Sequence, residues 1–316
     1  MAPIPLTNTV IASLALTSAL WGIFFLLSIA STYYLLSRRR ETAHGDLQSR
    51  KTEKRLGLLL VASGCIFTFV TGHWIMTIYI FFHAFAIYEG GTNPMGYYTH
   101  AGERAEGAQT AFLLATLITV DAILIYRLWM VWNRHFLVIV LPCMSLVGLI
   151  VTGGFQTYEF ASASIAGNEF DPVVARWILA VCSFILTTNV YCTTMIVYRI
   201  WSTKRDTVKA GSIGENSVYA VHTFIESSAI YAIWTIFYFI VYAAGSNLNA
   251  MGTDCHAIVA GISFMLNNAR VGFARDRSDR REQQQLADIA PSMHFSAVFP
   301  PDSVSEDVSI GSRRLR

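Results

Sequence analysis

The chain has 316 residues, of which 53% are hydrophobic and only 14% charged, and its mean hydropathy is +0.45. That composition excludes an ordinary soluble domain and places most of the chain in lipid. The net charge of +2 gives no reason to expect a nucleic-acid partner, and its distribution says more than its sum.

Seven apolar runs follow one another: approximately Ile11 to Leu36, Leu56 to Phe82, Ala108 to Trp132, Phe136 to Thr157, Val173 to Ile200, Ser217 to Ala244 and Asp254 to Ala274. Each can cross a bilayer core, which takes roughly 20 residues of helix. Of the 23 Lys and Arg residues, 21 fall on alternate sides of these runs, leaving only Arg104 and Arg176 on the other. Basic residues in short loops stay in the cytoplasm, so the expected fold class is all-α. It is a polytopic, seven-transmembrane-helix bundle, residues 1–274, with its N-terminus outside and its C-terminus cytoplasmic.

The first run is about 26 residues long and is followed by Arg38, Arg39 and Arg40, with no basic residue before it. It reads as a signal anchor rather than a cleaved signal peptide. After the second run, His83 to Gly107 contains Gly90, Gly91, Pro94 and Gly96 together with Glu89, Glu103 and Glu106, and reads as a flexible acidic outer loop. The third run carries Asp121 near its middle and ends at Arg127, Trp129 and Trp132. The tryptophans suit a headgroup level, where Arg127 is expected to snorkel. Pro142 is the only proline inside a run, so the broken helices common in transporters are not evident. Gly57 with Gly64, and Ala257 with Gly261, have the spacing of close helix contacts.

Asn189 lies within the fifth run, His222 and Glu226 within the sixth, and Asn267, Asn268 and Arg270 within the seventh. Counted along the helices, Asp121 and Glu226 both lie roughly 13 Å from the cytoplasmic ends. Asn189, Asn267 and Asn268 lie at similar depth, so these residues form a candidate intramembrane polar layer. His222 stands one helical turn before Glu226, within side-chain reach, and Arg270 can meet a carboxylate or snorkel. Two readings of the layer stand: a buried hydrogen-bonded switch or proton-sensitive site, since hydrocarbon tolerates ionisable groups only at a cost, or a packed polar clasp that selects helix partners.

The polar segment 275–316, with Arg275, Arg277, Arg280 and Arg281 followed by glutamines and serines, reads as a largely disordered cytoplasmic tail. Its charge and that of the inner loops suit the anionic cytoplasmic-leaflet lipids. The four lysines, Lys51, Lys54, Lys204 and Lys209, all lie in loops, so no retinal Schiff base can form in helix seven. No His-x-x-x-His pair, catalytic triad or nucleophile elbow is present. No cofactor, metal or catalytic residue is therefore expected, and enzyme is the weakest class.

Asp121 to Pro142 (DAILIYRLWMVWNRHFLVIVLP), Glu226 to Tyr231 (ESSAIY) and Arg270 to Gly272 (RVG) together resemble a large group of seven-helix membrane proteins expanded in mushroom-forming (basidiomycete) fungi. In that group a helix-three acid, a Tyr-Arg pair and a helix-six Glu-Ser recur. The resemblance spans the bundle and implies fold and membrane location; it transfers no catalytic residue. Asp121 and Arg127 are too far apart for an Asp-Arg-Tyr triplet, and helix seven lacks Asn-Pro-x-x-Tyr, so a receptor reading rests on topology. The expected function is ligand sensing or signalling across the fungal plasma membrane, through an unknown small ligand or a cytoplasmic protein. A small-molecule or proton-coupled transporter and a scaffold acting through its tail are the alternatives.

Overall fold

A computed structural model of the chain describes residues 6–42, 47–92, 96–97, 103–161, 172–209, 215–246 and 248–270. The tail after Arg270 lies outside the described residues, as does the remainder of the first two outer loops. Among the described residues the fold is all-helical: α1 (Leu6–Thr42), α2 (Leu47–Phe82), α3 (Glu103–Val131), α4 (Leu137–Ala161), α5 (Pro172–Lys209) and α6 (Glu215–Ala243), then α7, residues 249–270. The helices outrun the apolar runs because backbone hydrogen bonding continues past the last apolar turn into the basic segments. Six of them, from α1 to α6, are long and apolar enough to cross a membrane.

The exterior is the apolar part. Leu26, Val61, Leu137, Met144 and Ile233 are all exposed, while Ser13, Thr17, His73, Thr116, Asp121 and Thr188 are fully buried. A water-soluble bundle would reverse this distribution; lipid as solvent permits it, because apolar surface there costs nothing and polar groups must find partners inside. Many of the Ser and Thr hydroxyls do so locally, donating to the carbonyl four residues back, as Ser28, Thr116 and Thr235 do.

The helix α7 occupies the centre. Every residue from Cys255 to Met265 is buried, and side chains of α7 meet α1, α2, α3 and α6. Because no face of α7 is left to lipid, its sequence is free to be the least apolar of the seven, with Asp254, His256, Asn267, Asn268 and Arg270. Its start, five residues before the apolar run, is set by Asn249, whose amide N–H bonds the Ser246 carbonyl at 3.0 Å.

Small residues let the helices approach. A Cβ on Gly148 would stand 2.6 Å from the Phe184 ring of α5, one on Gly153 2.3 Å from Leu114 of α3, and one on Gly261 2.8 Å from Phe24 of α1. Gly57 and Gly64, which have the same kind of spacing, face open space instead. We expect Gly153→Leu to lower the melting temperature markedly, overpacking costing about 1 to 3 kcal/mol, and Gly57→Ala to leave it unchanged or raise it; thermal denaturation in nanodiscs measures both.

Pro142 deprives α4 of one backbone donor, and the carbonyl it would have served, that of Val138, accepts the Tyr191 hydroxyl of α5 at 3.1 Å. This repair keeps α4 continuous through its proline. After α2 the chain forms a π turn, His83–Ile87, and a tight turn, Tyr88–Gly91, in which Glu89, Gly90 and Gly91 have positive φ. Gly91 is required there on two counts: its φ is 78°, and a Cβ would lie 2.4 Å from the Phe85 carbonyl oxygen. Tyr97 packs back on Ile80 and Ala84. The described part of this loop is thus a packed cap, where glycine-rich composition suggested flexibility.

Candidate functional site

Among the described residues, Arg38, Arg39, Arg40, Arg55, Arg127, Arg134 and Arg199 share one end of the bundle, called here the basic end; the starts of α1, α3 and α7 lie at the opposite end. The residues expected to form one polar layer separate into three levels along this axis.

Asp121 of α3 lies deepest, fully buried between two apolar clusters, one built on Val120, Ile123 and Tyr231 and the other on Ile125, Leu128 and Cys192. Neither of its oxygens has a hydrogen-bond partner, and the Thr188 and Tyr231 hydroxyls are also unpartnered. Asn189 makes a helix tie instead, donating to the Ser228 carbonyl of α6 at 3.1 Å. The third level is at the basic end. There Arg127 donates to Asn268 and lies over the Phe264 ring, Asn268 reaches Ser63 at 3.5 Å, and Arg270 pairs with Glu226.

Two expectations change. Arg127 turns inward to α7 rather than snorkelling, because Asn268 offers it an acceptor that lipid does not. Glu226 points outward, with its side chain 45% exposed. Its carboxylate meets the Arg270 guanidinium of α7 instead of an interior partner. His222 is in α6, and its side chain lies outside the described set. The Glu226–Arg270 pair is half exposed, so we expect Glu226→Gln to shift stability by about 1 kcal/mol or less, readable as a change of a few degrees at most in the melt.

A second cluster, at the opposite end, joins four helices around Asp254. Its carboxylate accepts the Ser13 hydroxyl of α1 at 2.6 Å and the Gln109 amide of α3 at 2.9 Å. The same Gln109 amide nitrogen also donates to Thr77 of α2 at 2.9 Å. His73 of α2, fully buried, lies between two backbone carbonyls, with Nδ1 3.1 Å from that of Gln109 and Nε2 3.0 Å from that of Asp254. Each ring nitrogen thus faces a carbonyl oxygen, on α3 and on α7, and the ring N–H ties α2 to one of them. The side chains of Ser13, Thr77, Gln109 and Asp254 and the His73 ring form one hydrogen-bonded network across four helices. Next to it, the Thr17 hydroxyl meets the Cys255 thiol at 3.3 Å.

The cluster forms part of the wall of a cavity of about 90 Å3 to which all seven helices contribute, among them Val10, Thr77, Glu106, Gln156, Ile178, Tyr238 and Asn249. Below its floor His256 is held edge-on by Tyr231 and Tyr238, with ring centroids 5.9 and 5.3 Å away. A larger cavity, about 310 Å3, opens at the basic end between Tyr34, Arg38, Arg55, Arg127, Phe224 and Asn267. The two share no residue. Gln109 and Arg127 on α3 are 18 residues apart, about 27 Å along a helix, and the space between the cavities is filled by Phe24, Ile66, Val70, Leu117, Tyr231 and Met265.

No family model matches the chain, and no curated protein and no solved structure gives a match. The functional reading therefore rests on geometry. Among the described residues no group of three His, Cys, Asp or Glu side chains is placed to hold a metal ion, and all five cysteines are free thiols.

Sequence reading passed over the Asp254 cluster. Asp254 stood at the first position of a run, His73 was one of several scattered histidines, and Gln109 is a neutral amide. The available signal was the rule that an ionisable residue in or at the rim of a span needs a partner: His73 and Asp254 are such a pair, on α2 and α7.

Proposed function

We propose that the chain is a seven-span integral membrane protein of receptor-like architecture in the fungal plasma membrane, with its N-terminus outside and its basic end in the cytoplasm. A small ligand entering from outside occupies the cavity at Asp254, and a cytoplasmic protein engages the cleft at Arg127. The observation that carries this reading is the pair of cavities at opposite ends of one bundle, separated by a packed core and joined through α3 and α7, each of which lines both. The alternation of basic residues supports the orientation, and Arg38 and Arg55 at the cleft rim suit the anionic inner leaflet.

A proton-coupled transporter is the second reading, favoured by Asp121, a carboxyl without a hydrogen-bond partner between the two cavities. Full-length protein in nanodiscs, screened by thermal shift against small metabolites, identifies a ligand; hydrogen exchange with that ligand bound then reads the basic end. Altered exchange at Arg127 to Val131 and around Asn267, with no flux of the ligand in proteoliposomes, is the expected result. Flux with proton uptake, lost in Asp121→Asn, establishes the transporter instead. A ligand that leaves exchange at the basic end unchanged and is not carried overturns both.

A further inference from the structure

Arg127 is a cation inside the bundle whose described partners are neutral. Its guanidinium donates to the Asn268 side chain of α7 and lies 5.5 Å from the centre of the Phe264 ring. The ion pairs described at this end use other arginines, Arg39 with Glu53 and Arg270 with Glu226. A charged side chain within a membrane-spanning bundle marks a site when no opposite charge accompanies it. Asn268, 3.5 Å from Ser63 of α2, holds the guanidinium in place while using one of its five N–H donors.

Arg127 lines the basic-end cavity of about 310 Å3 together with Arg38 and Arg55, and no Asp or Glu side chain lines it. The rest of the wall is largely apolar, with Leu35, Leu59, Ile196 and Phe224. From this wall we infer that the cleft binds an amphiphilic phosphate monoester, its phosphate on Arg55 and Arg127 and its single alkyl or acyl chain along the apolar side. The inference rests on the proposed function for the side from which the ligand enters, the cytoplasmic one; the bound phosphate is then part of the surface that the cytoplasmic protein meets. Guanidinium groups meet phosphate oxygens through paired N–H donors. A phosphate monoester carries about 1.5 to 2 negative charges, enough for both arginines, where a carboxylate carries one. The cavity volume falls within the range of pockets that take organic molecules, about 300 to 1,000 Å3, and a bare phosphate ion would leave the apolar wall uncovered. An alcohol of the same chain would leave Arg127 without a counter-charge, and an alkylammonium would add a like charge.

The test is calorimetric titration of the full-length protein in nanodiscs of zwitterionic lipid with octyl phosphate, 1-octanol, octylammonium and inorganic phosphate, empty nanodiscs giving the partition of each into lipid. Octyl phosphate binding at least about tenfold tighter than that of 1-octanol and of inorganic phosphate is expected, with none for octylammonium. Arg127→Gln, which keeps a donor for Asn268, and Arg55→Gln, at an exposed position, are each expected to weaken octyl phosphate about tenfold or more and to leave 1-octanol unchanged. Arg40→Gln, at the same end but outside the cavity wall, is expected to change neither. Equal affinity for octyl phosphate and 1-octanol, inorganic phosphate bound as tightly as the octyl ester, or unchanged affinity in Arg55→Gln overturns the proposal. So does an effect of Arg40→Gln as large as that of Arg55→Gln, because charge at the membrane surface alone then explains the binding. Failure here is distinguishable from failure of the receptor reading. An outer ligand that alters exchange at the basic end of a protein blind to octyl phosphate sinks only this inference, whereas octyl phosphate binding without such coupling sinks only the receptor.

Discussion

Asp254→Ala is expected to be the most destabilising single substitution in the bundle. It removes the acceptor of two side-chain donors, Ser13 of α1 and Gln109 of α3. Leaving buried donors without their acceptor costs about 1 to 3 kcal/mol for each, which for a chain of this size corresponds to a fall of several degrees in melting temperature. The loss is expected to spread along α1, since Ser13 and its neighbour Thr17 are its polar ties to α7. Asp254→Asn keeps an acceptor for one donor and is expected to fall between wild type and Ala. A melting temperature for Asp254→Ala within two degrees of wild type, about the reading of a single solvent-exposed contact, would mean that the cluster does not hold α1 and α7 together. Hydrogen exchange at Ile11 to Trp21 locates the effect on the chain.

Asp121→Leu is expected to move stability the other way. The carboxyl is fully buried in a helix whose neighbouring side chains belong to the apolar core, and has no hydrogen-bond partner. A polar group buried without a partner costs about 1 to 3 kcal/mol in proteins. Leucine has the same branching and nearly the same shape, so it fills the place without a cavity. The expected result is a melting temperature several degrees above wild type, with Asp121→Asn close to wild type. Natural sequences keep such destabilising groups where function needs them. The pairing of higher stability with lost ligand response or lost transport would therefore mark Asp121 as a working residue. A drop in stability for Asp121→Leu would show instead that the carboxyl has protein or water partners holding the core together.

The contrast between these two acids shows how far the sequence could be read. Asp121 stands out because nothing within its run explains a charge in the middle of twenty apolar residues. Asp254 does not, because it begins its run and looks like a boundary. The helical architecture was legible for a similar reason: runs and alternating basic residues are one-dimensional signals. Which face of each helix turns inward is not one-dimensional in this chain, since α1 to α6 are apolar around most of their circumference and carry no stripe to mark the inner side. The meeting of Ser13, His73, Gln109 and Asp254 depends on the rotation of four such helices, and no pairwise spacing encodes it. Glu226 shows the converse, a residue whose type suggested an interior role but whose side chain the rotation of α6 turns outward to Arg270. The packing role of glycine divided the same way. Gly261, four residues from Ala257, and Gly57, seven from Gly64, both have spacings that suit a helix contact, and only the neighbour across the interface, Phe24 in one case and open space in the other, separates them.

The seam between α1 and α2 contains two parallel indoles, Trp21 and Trp74, with ring centroids 4.1 Å apart and planes within 8° of each other, the second also donating to Ser18 at 3.3 Å. Two identical chromophores at that separation share their electronic excitation, so the pair should generate a split signal in ultraviolet circular dichroism that isolated tryptophans do not. The bundle thus carries a native optical gauge of the distance between its first two helices, about one turn from Thr17, readable in detergent or lipid without any label.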